Sequence, residues 1–328
     1  MPLYKKSANK KNVLKIIPLV IIFICLIAIL SIINDKSAII ADIDEIFFSV
    51  KMTLTKDFGD SEILSENVGI EAGETGLDGL EKLAEVTYSY SGGFVESING
   101  IKSTYAGGNG EKNDWFFYIN GMLSPIGAAE YILHPGDKER WDYHYWDSDR
   151  KTTAIIADYP EPFLHGFHGT VKATNIVYSE PFRNETNTLK TSLKNHGVTV
   201  SSDSFNELKK NDKINNNLIL IDTIDNNLIQ ELNRNSATLG WFIEYSDEEL
   251  NTFNNYGEKD MVFEHAGFIV ASQNPWNQKG NWNGENVVWV ISGINDEDVT
   301  NAVNFLKSNN IENYSSVVIV DENIYKVP

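Results

Sequence analysis

Asp114-Trp-Phe-Phe-Tyr-Ile-Asn-Gly121 has the composition of a buried β-strand that ends at a tight turn. Aromatic and β-branched residues are enriched in strands, and Asn-Gly is a strong two-residue signal for a hairpin turn. A turn at Leu133-His-Pro-Gly-Asp137 leads to Arg140-Trp-Asp-Tyr-His-Tyr-Trp146, in which aromatic and polar residues partly alternate. These segments predict a sheet with an aromatic face within residues 114–146.

The residues before this sheet predict a hairpin and one helix. Residues 45–55 and 62–68 have strand composition, and Lys56-Asp-Phe-Gly-Asp60 turns between them. Thr75 is an expected N-cap, because Asp78 stands three residues later and leucines then recur at helical spacing. Two hairpins around one helix predict a compact α+β domain of the β-grasp kind, over residues 43–148.

Several motifs occur in order along this region. They are Lys56-Asp-Phe-Gly59, Thr75-Gly-Leu-Asp-Gly-Leu80, Gly92-Gly-Phe-Val-Glu-Ser-Ile-Asn-Gly100, Trp115-Phe-Phe-Tyr-Ile-Asn-Gly121, Gly127-Ala128 and Leu133-His-Pro-Gly-Asp137. Together they resemble the transcobalamin-like C-terminal domain family, over about a third of the chain. The resemblance implies a β-grasp-like fold. The namesakes of this family are the smaller domains of animal cobalamin carriers, so the resemblance also implies cobalamin or a related corrinoid as ligand.

Strand-like and helix-like runs alternate over residues 152–328, which predicts an α/β domain with a mixed or parallel sheet. Asn295 is the expected cap of the clearest helix, 296–307. A short charged link at 148–151 predicts that the two domains pack together. The strand-like runs are 153–157, 198–201, 217–222, 239–244, 267–271, 286–292 and 316–321, and the helix-like runs are 186–195, 203–210, 226–235 and 296–307.

Residues 16–33 form an uncharged, apolar run that is long enough for a transmembrane helix. A helix of this length spans roughly 27 Å, close to the thickness of a bilayer core. The first 34 residues hold five lysines and no acidic residue, which predicts a cytoplasmic N-terminus and an extracytoplasmic remainder. We therefore expect a single-pass protein of the cell membrane with an uncleaved signal-anchor. Cleavage as a signal peptide is the main alternative, although no Ala-x-Ala motif follows the run.

The chain is acidic and has one cysteine. Its formal net charge is −19, which argues against binding nucleic acid or anionic lipid surfaces. Cys25, the single cysteine, lies within the apolar run. The predicted exported part therefore has neither a disulfide nor a cysteine metal site.

The aromatic strands and one unusual loop supply candidate ligand contacts. Tyr118 lies in the first strand, and Trp141 and Tyr143 lie in the second. One face of each strand must pack in the core, and the other is free to contact a ligand or the second domain.

The unusual loop is Gln273-Asn-Pro-Trp-Asn-Gln-Lys-Gly-Asn-Trp-Asn-Gly284, here called the tryptophan loop. It follows a strand-like run, where ligands collect in α/β sheets. Trp276 and Trp282 are suited to stack on a planar ligand, and Asn277 to hydrogen-bond its polar rim. A structural loop whose tryptophans pack against the core is the alternative.

His165 and His168 stand three residues apart and are flanked by glycines. Metal binding would need a third ligand such as His144, Asp142 or Glu161, and the glycines favour a hydrogen-bonded interdomain loop instead. A single histidine could also serve as the axial ligand of a corrinoid, but the sequence does not select which one. His165 is the candidate retained for ligand binding, and no metal site is predicted.

The sequence lacks the motifs of common enzyme classes. It contains no Gly-x-Ser-x-Gly, no Gly-x-Gly-x-x-Gly and no phosphate-binding Gly-x-x-x-x-Gly-Lys motif. The expected function is a membrane-tethered extracytoplasmic binding protein for a small ligand, best cobalamin or a related corrinoid. It would need no cofactor and could deliver its ligand to a membrane transporter. The alternatives are a cell-envelope adhesion or scaffold module and a carbohydrate-active protein.

Overall fold

The computed structural model describes residues 47–89, 94–104, 110–307, 311 and 313–328. These residues form a mixed α/β structure whose strands make four sheets. Residues 49–328 belong to one compact unit. The predicted domains, 43–148 and 152–328, stay a prediction, and we use "N-terminal half" for residues 49–148 and "C-terminal half" for residues 149–328.

The N-terminal half contains one helix and eight strands among its described residues, and the first of these strands begins two residues before it. The strands are β1 (Phe47–Lys56), β2 (Ser61–Glu71), β3 (Val86–Ser89), β4 (Phe94–Ile98), β5 (Ile101–Lys102), β6 (Asn113–Ile119), β7 (Met122–Leu123) and β8 (Lys138–Tyr145), and the helix is α1 (Gly76–Leu83). The predicted capping box of α1 is confirmed, because the Thr75 hydroxyl accepts from the Asp78 amide and the Asp78 side chain accepts from the Thr75 amide.

The strands of this half form two sheets. The first sheet has the order β2-β1-β8-β6-β7, and a small second sheet has the order β3-β4-β5. β1 and β8 are parallel, whereas β6 is antiparallel to both β8 and β7. The predicted turn at Asn120-Gly121 is confirmed: both residues have positive φ, of 51° and 73°, as a two-residue hairpin turn requires.

The C-terminal half alternates strands and helices before it ends in antiparallel strands. Its strands are β9 (Thr174–Tyr178), β10 (Val200–Ser204), β11 (Asn217–Thr223), β12 (Ile243–Ser246), β13 (Glu249–Phe253), β14 (Lys259–Phe263), β15 (Gly267–Gln273), β16 (Val287–Gly293), β17 (Ser316–Val320) and β18 (Asn323–Val327). Its helices are α2 (Arg183–Asn195), α3 (Lys210–Asn215), α4 (Asn227–Asn233), α5 (Ser236–Leu239) and α6 (Asp296–Lys307).

A seven-stranded mixed sheet, the large sheet, organises this half, in the order β10-β9-β11-β16-β15-β17-β18. The four strands from β10 to β16 are parallel, and the remaining three strands pair antiparallel. β11, β15 and β16 are buried along almost their whole length, as strands covered on both faces must be. The Asn295 cap of α6 is confirmed, since the Asp298 amide donates to its side chain at 3.0 Å.

Three element predictions in the C-terminal half are wrong. Residues 203–209 form no helix: Val200–Ser204 is a strand that pairs in parallel with β9, and the next helix begins only at Lys210. The predicted strand 239–244 begins as the end of α5, and only Ile243 onward is strand. Residues 153–157 contribute one isolated bridge, from Ala154 to Met122. Whether a segment forms a strand depends on the residues with which it pairs. Those residues lie elsewhere in the sequence, so the composition of the segment alone does not determine its structure.

The two halves are joined by buried polar contacts. Arg140 of β8 donates to the Asp158 carboxylate at 2.9 Å and to the Asn313 side chain at 3.0 Å. Ser315 donates to the backbone carbonyl of Phe58. These contacts agree with the expectation that the two halves pack together.

The predicted membrane anchor, residues 16–33, lies outside the described residues. Within the part of the chain that the structure describes, no helix is long and apolar enough to cross a membrane. The anchor and the membrane location stay predictions.

Candidate ligand-binding site

An open cleft of about 410 Å³, here called the aromatic cleft, lies against the first sheet. Its volume is within the roughly 300–1,000 Å³ of pockets that hold small molecules. Most of its lining side chains are aromatic or aliphatic, and the rim residues Phe94 and Trp282 are 37% and 45% exposed. The aromatic lining residues are Tyr88, Phe94, Trp115, Phe116, Phe117, Trp141 and Trp282.

The alternation of β6 and β8 places part of this lining. Trp115 and Phe117 are two residues apart and share one face of the sheet. Trp141 lies directly opposite Phe117 on β8, with ring centroids 5.1 Å apart. Three aromatic side chains from two paired strands therefore form a continuous wall of the cleft.

Gln273, the last residue of β15, fixes the tryptophan loop to the N-terminal half. Its side-chain amide donates to the backbone carbonyls of Leu123 and Thr153, at 2.7 and 3.1 Å. Its side-chain oxygen accepts from the Gly284 amide at 2.7 Å. Both ends of the loop are thus tied to one buried side chain, which holds Trp282 at the cleft.

Gly284 permits this close approach. It has φ of 60°, and a Cβ at this position would lie 2.5 Å from Cγ of Pro125. A larger residue would need both a strained backbone and a displaced cleft wall.

A smaller pocket of about 170 Å³, here called the adjoining pocket, shares Phe116, Leu123 and Trp282 with the aromatic cleft. His144 also lines it. Because the two cavities have lining residues in common, we treat them as parts of one site.

His144 is held in one orientation. Its ring is stacked between Phe58 and Phe116, with centroid distances of 4.0 and 4.1 Å. Nδ1 lies 2.7 Å from Oδ1 of Asp142. Among the described residues, no hydrogen-bond partner of Nε2 is present.

Asp142 is buried and accepts several hydrogen bonds. Besides His144, the Thr55 hydroxyl and the backbone amides of Phe58 and Gly59 donate to its carboxylate, at 2.5, 3.0 and 2.9 Å. Burial alone would raise the pKa of Asp142, but the hydrogen bonds and the proximity of His144 outweigh burial and hold the pKa below its usual value. The carboxylate is therefore ionised at neutral pH.

Two of the predicted ligand contacts, Trp141 and Trp282, line the aromatic cleft. Trp276 does not line it. Its indole N–H donates to Glu231 at 2.9 Å, and the Lys213 ammonium lies 3.9 Å from its ring centroid. Asn277 is 9% exposed and donates to the side chain of Asn286 within the loop. The amide groups of this loop largely bond one another and the backbone.

Tyr118 and Tyr143 are likewise not among the residues that line the cleft. Tyr118 is 1% exposed and donates to the Thr152 carbonyl, and burial raises its pKa well above the usual value. Tyr143 donates to the Lys102 carbonyl at 2.8 Å. Their ligand-binding role stays a prediction that the geometry does not favour.

His165 lies away from the cleft, in a bend that it shares with Glu161. The Glu161 carboxylate accepts from the His165 amide and lies 2.6 Å from its Nδ1. This hydrogen bond raises the pKa of His165. Within the described residues, no group of three or more histidine, cysteine or acidic side chains is placed to hold a metal ion.

The ligand contacts predicted from the sequence do not include Trp115, Phe117 or His144, although His144 was named as a possible third ligand of a metal site. Strand parity puts Trp115 and Phe117 on one face of β6 and Tyr118 on the other, but it does not indicate which face lines a cleft. His144 carried no such local signal. Its position depends on Phe58, which lies in a distant turn.

Comparison with known proteins finds one family model that matches part of the N-terminal half. Residues 73–145 match the family model of a domain of unknown function, DUF4430. This match covers less than half of the chain and includes most of the cleft's aromatic wall. No curated protein matches the chain.

Solved structures show similarity over a comparable stretch. The chain is 16% identical to haptocorrin, solved in complex with Cbi, with a TM-score of 0.27, and the match covers 31% of this chain and 26% of haptocorrin. It is 12% identical to a candidate metal-binding protein from Ruminococcus gnavus ATCC 29149, with a TM-score of 0.23, covering 30% of this chain and 98% of that one. The match thus spans only about a quarter of the haptocorrin chain.

Proposed function

We propose that this protein binds a small ligand in the aromatic cleft and has no catalytic role. One observation carries the proposal: an open cleft of about 410 Å³ is lined by aromatic side chains from both halves of the chain. Such surfaces bind flat, largely apolar molecules, because aromatic faces offer large contact areas at low cost in side-chain entropy. Trp282 is the contribution of the C-terminal half, and Trp115 and Trp141 are those of the N-terminal half.

We further propose cobalamin or a related corrinoid as the ligand. The support is the motif resemblance to transcobalamin-like domains, with the β-grasp-like fold it implies, and a cleft wall that suits a broad planar ring. A whole corrinoid is larger than the cleft, so part of the ligand would project past the exposed rim residues Phe94 and Trp282. The proposal includes the predicted anchor at residues 16–33, which would keep the site near the bilayer and near a membrane transporter.

Titration of the full chain with cyanocobalamin and with aquocobinamide tests the proposal. The protein would be held in a mild detergent, because residues 16–33 are apolar, and binding followed by corrin absorbance and equilibrium dialysis. We expect saturable binding at micromolar concentration or below. Trp282→Ala should weaken binding by roughly tenfold, because it removes the aromatic contact that the C-terminal half supplies to the cleft.

Trp276→Phe is the matched control. It alters the other tryptophan of the same loop, which lies outside the cleft lining, and should leave the affinity unchanged within about twofold. Equal losses in the two variants would place binding elsewhere. Absence of corrinoid binding at tens of micromolar, together with stable capture of cell-wall material or an envelope protein, would favour the scaffold alternative.

A further inference from the structure

A separate cavity of about 80 Å³, here called the basic pocket, lies between the two halves of the chain. Its basic lining residues are Lys51, Lys138 and Arg140 of the first sheet and His196, which follows α2. Among the described residues, it has no lining residue in common with the aromatic cleft or the adjoining pocket. Arg140 and Trp141 are neighbours on β8 and point to opposite faces, so the basic pocket and the cleft's aromatic wall lie on opposite sides of the first sheet.

The register of the first sheet brings three positive charges together. Lys51 of β1 lies directly opposite Lys138 of β8 in the parallel pair, and Thr53 lies opposite Arg140. Residues two apart on a strand share a face, so both lysines and the arginine project from one side of the sheet. Like charges that lie directly opposite one another destabilise a sheet. In a chain with a formal net charge of −19, this cationic cluster is unlike the rest of the composition, and negative charge bound beside it would stabilise it.

Among the described residues, two acidic side chains line the basic pocket, and each already has a partner. The Asp158 carboxylate accepts from Arg140 at 2.9 Å, and the Glu62 carboxylate accepts from the Asn313 side chain at 2.7 Å. Burial alone would raise the pKa of Asp158, but Arg140 and the two lysines outweigh burial and hold this pKa below its usual value. Asp158 is therefore ionised and balances one of the three cations.

Hydrogen-bond donors of the pocket have capacity that the described acceptors do not use. The Lys138 ammonium donates to the backbone carbonyls of Asp158 and Tyr159, at 2.8 and 3.2 Å. These carbonyls carry no net charge, and an ammonium has three N–H groups, so one donor and the positive charge remain. The hydroxyls of Thr53 and Ser65 lie 3.1 Å apart, and only one of them can donate to the other. The second hydroxyl hydrogen is available to a ligand.

A compact oxyanion fits both the size and the donors of this pocket. One water molecule needs about 10–15 Å³ of such space, so the pocket has room for an ion of about five heavy atoms. The planar fork of Arg140 is already bonded to Asp158 and Asn313. The remaining ammonium and hydroxyl donors impose no planar geometry, which suits a tetrahedral anion better than a flat carboxylate.

We propose that the basic pocket binds phosphate, as the inorganic ion or as the terminal group of a phosphate monoester. Lys51 and Lys138 supply the positive charge, and the Thr53–Ser65 pair supplies a neutral donor. The lysines belong to the N-terminal half and His196 to the C-terminal half, so a bound anion stabilises the packing of the two halves. This site is independent of the ligand of the aromatic cleft.

Calorimetric titration of the full chain, in a mild detergent and a phosphate-free buffer, tests the proposal. Ionic strength is kept constant with sodium chloride, because exposed charges are sensitive to screening. We expect saturable binding of inorganic phosphate at millimolar concentration or below, and a melting temperature that rises with phosphate concentration. Methyl phosphate distinguishes the two sources: tighter binding than that of inorganic phosphate indicates a monoester, and weaker binding indicates the free ion.

Lys51→Gln and Lys138→Gln should each weaken phosphate binding by roughly tenfold, because each removes a positive charge from the pocket. Lys51→Gln keeps the test decisive if loss of the Lys138 contacts prevents folding. Lys259→Gln is the matched control, since it removes the same charge from the exposed strand β14 and should leave the affinity unchanged within about twofold. No saturable binding at tens of millimolar, or equal losses in the pocket variants and Lys259→Gln, overturns the proposal.

Discussion

Two histidine–carboxylate pairs in this protein have nearly the same geometry in different surroundings. Nδ1 of His144 lies 2.7 Å from Asp142, and Nδ1 of His165 lies 2.6 Å from Glu161. The His144 side chain is 5% exposed and stacked between two phenylalanines, whereas that of His165 is 35% exposed. His144 borders a pocket, while His165 lies against the backbone at Gly136, where a Cβ would be 2.3 Å from its Nε2.

The comparison shows that a paired carboxylate does not by itself mark a functional histidine. Both carboxylates fix a ring and a tautomer, but only one ring presents its second nitrogen to a cavity. At His165 that nitrogen faces a glycine, so the pair serves the local bend. The two histidines differ in what surrounds Nε2: a pocket at His144 and the backbone of Gly136 at His165. The sequence does not reveal this difference.

The largest difference should appear on removal of Asp142. Asp142→Ala leaves the buried donors of Thr55, Phe58 and Gly59 without their acceptor. We expect a loss of about 3–5 kcal/mol in the free energy of unfolding, measured by urea denaturation, because breaking a buried charged network is strongly destabilising. Asp147→Ala is the control: its partner Lys112 and Asp147 itself are about 40% exposed, and it should cost less than about 1 kcal/mol. Similar losses in the two variants would contradict the assigned burial of the His144 pair.

A smaller effect should follow from crowding the His165 pair. Gly136→Ala places a methyl group against the His165 ring at a position with φ of 86°. We expect a loss of about 2–3 kcal/mol in the free energy of unfolding, from backbone strain and displacement of the ring together.

Gly100→Ala separates these two contributions. Gly100 has φ of 77°, and a Cβ at this position would meet nothing within 4 Å. This substitution should therefore show backbone strain only, of about 1 kcal/mol. Equal losses at the two glycines would mean that the His165 ring moves aside freely, and that its pair is not held by packing.

Local signals predicted much of this fold. Thr75 and Asn295 cap the helices that they were expected to cap, and Asn120-Gly121 makes the expected turn. Each of these features depends on residues within a few positions of one another. Strand β9, Thr174–Tyr178, was missed even though every residue in it is buried. It pairs with β10 and β11, and those partners are distant in sequence.

The site was predicted only in part, for the same reason. Trp141 and Trp282 were named and do meet at one cleft, but Tyr118 was chosen where its neighbour Phe117 lines the wall. Choosing between neighbours on a strand requires knowledge of which face is buried. Asn277 was named for its amide group, and in the structure that group bonds Asn286. Composition identifies a polar aromatic loop but not which of its groups remain available.

The smallest predicted effect is on how the free energy of unfolding changes with pH. The direction of this change differs between the two pairs. The hydrogen bond with Glu161 raises the pKa of His165, so protonation is favoured in the folded state. The stability from this pair is complete below the unfolded pKa of about 6.5 and is lost as pH rises through the raised folded value. Relative to His165→Gln, wild-type stability should fall by up to about 0.5 kcal/mol between about pH 6 and pH 8, since a partly exposed pair is screened.

Asp142 should respond in the opposite direction. Its lowered pKa gives stability that is present above its unfolded value of about 3.9 and is lost as pH falls through the folded value.

Urea denaturation of wild type, His165→Gln and Glu161→Gln between about pH 6 and pH 8 checks the sign for His165. Glu161→Gln removes the carboxylate and should therefore abolish the pH dependence of the stability difference between wild type and His165→Gln. A wild-type advantage that grows with rising pH near neutrality would show that Glu161 does not stabilise the protonated ring.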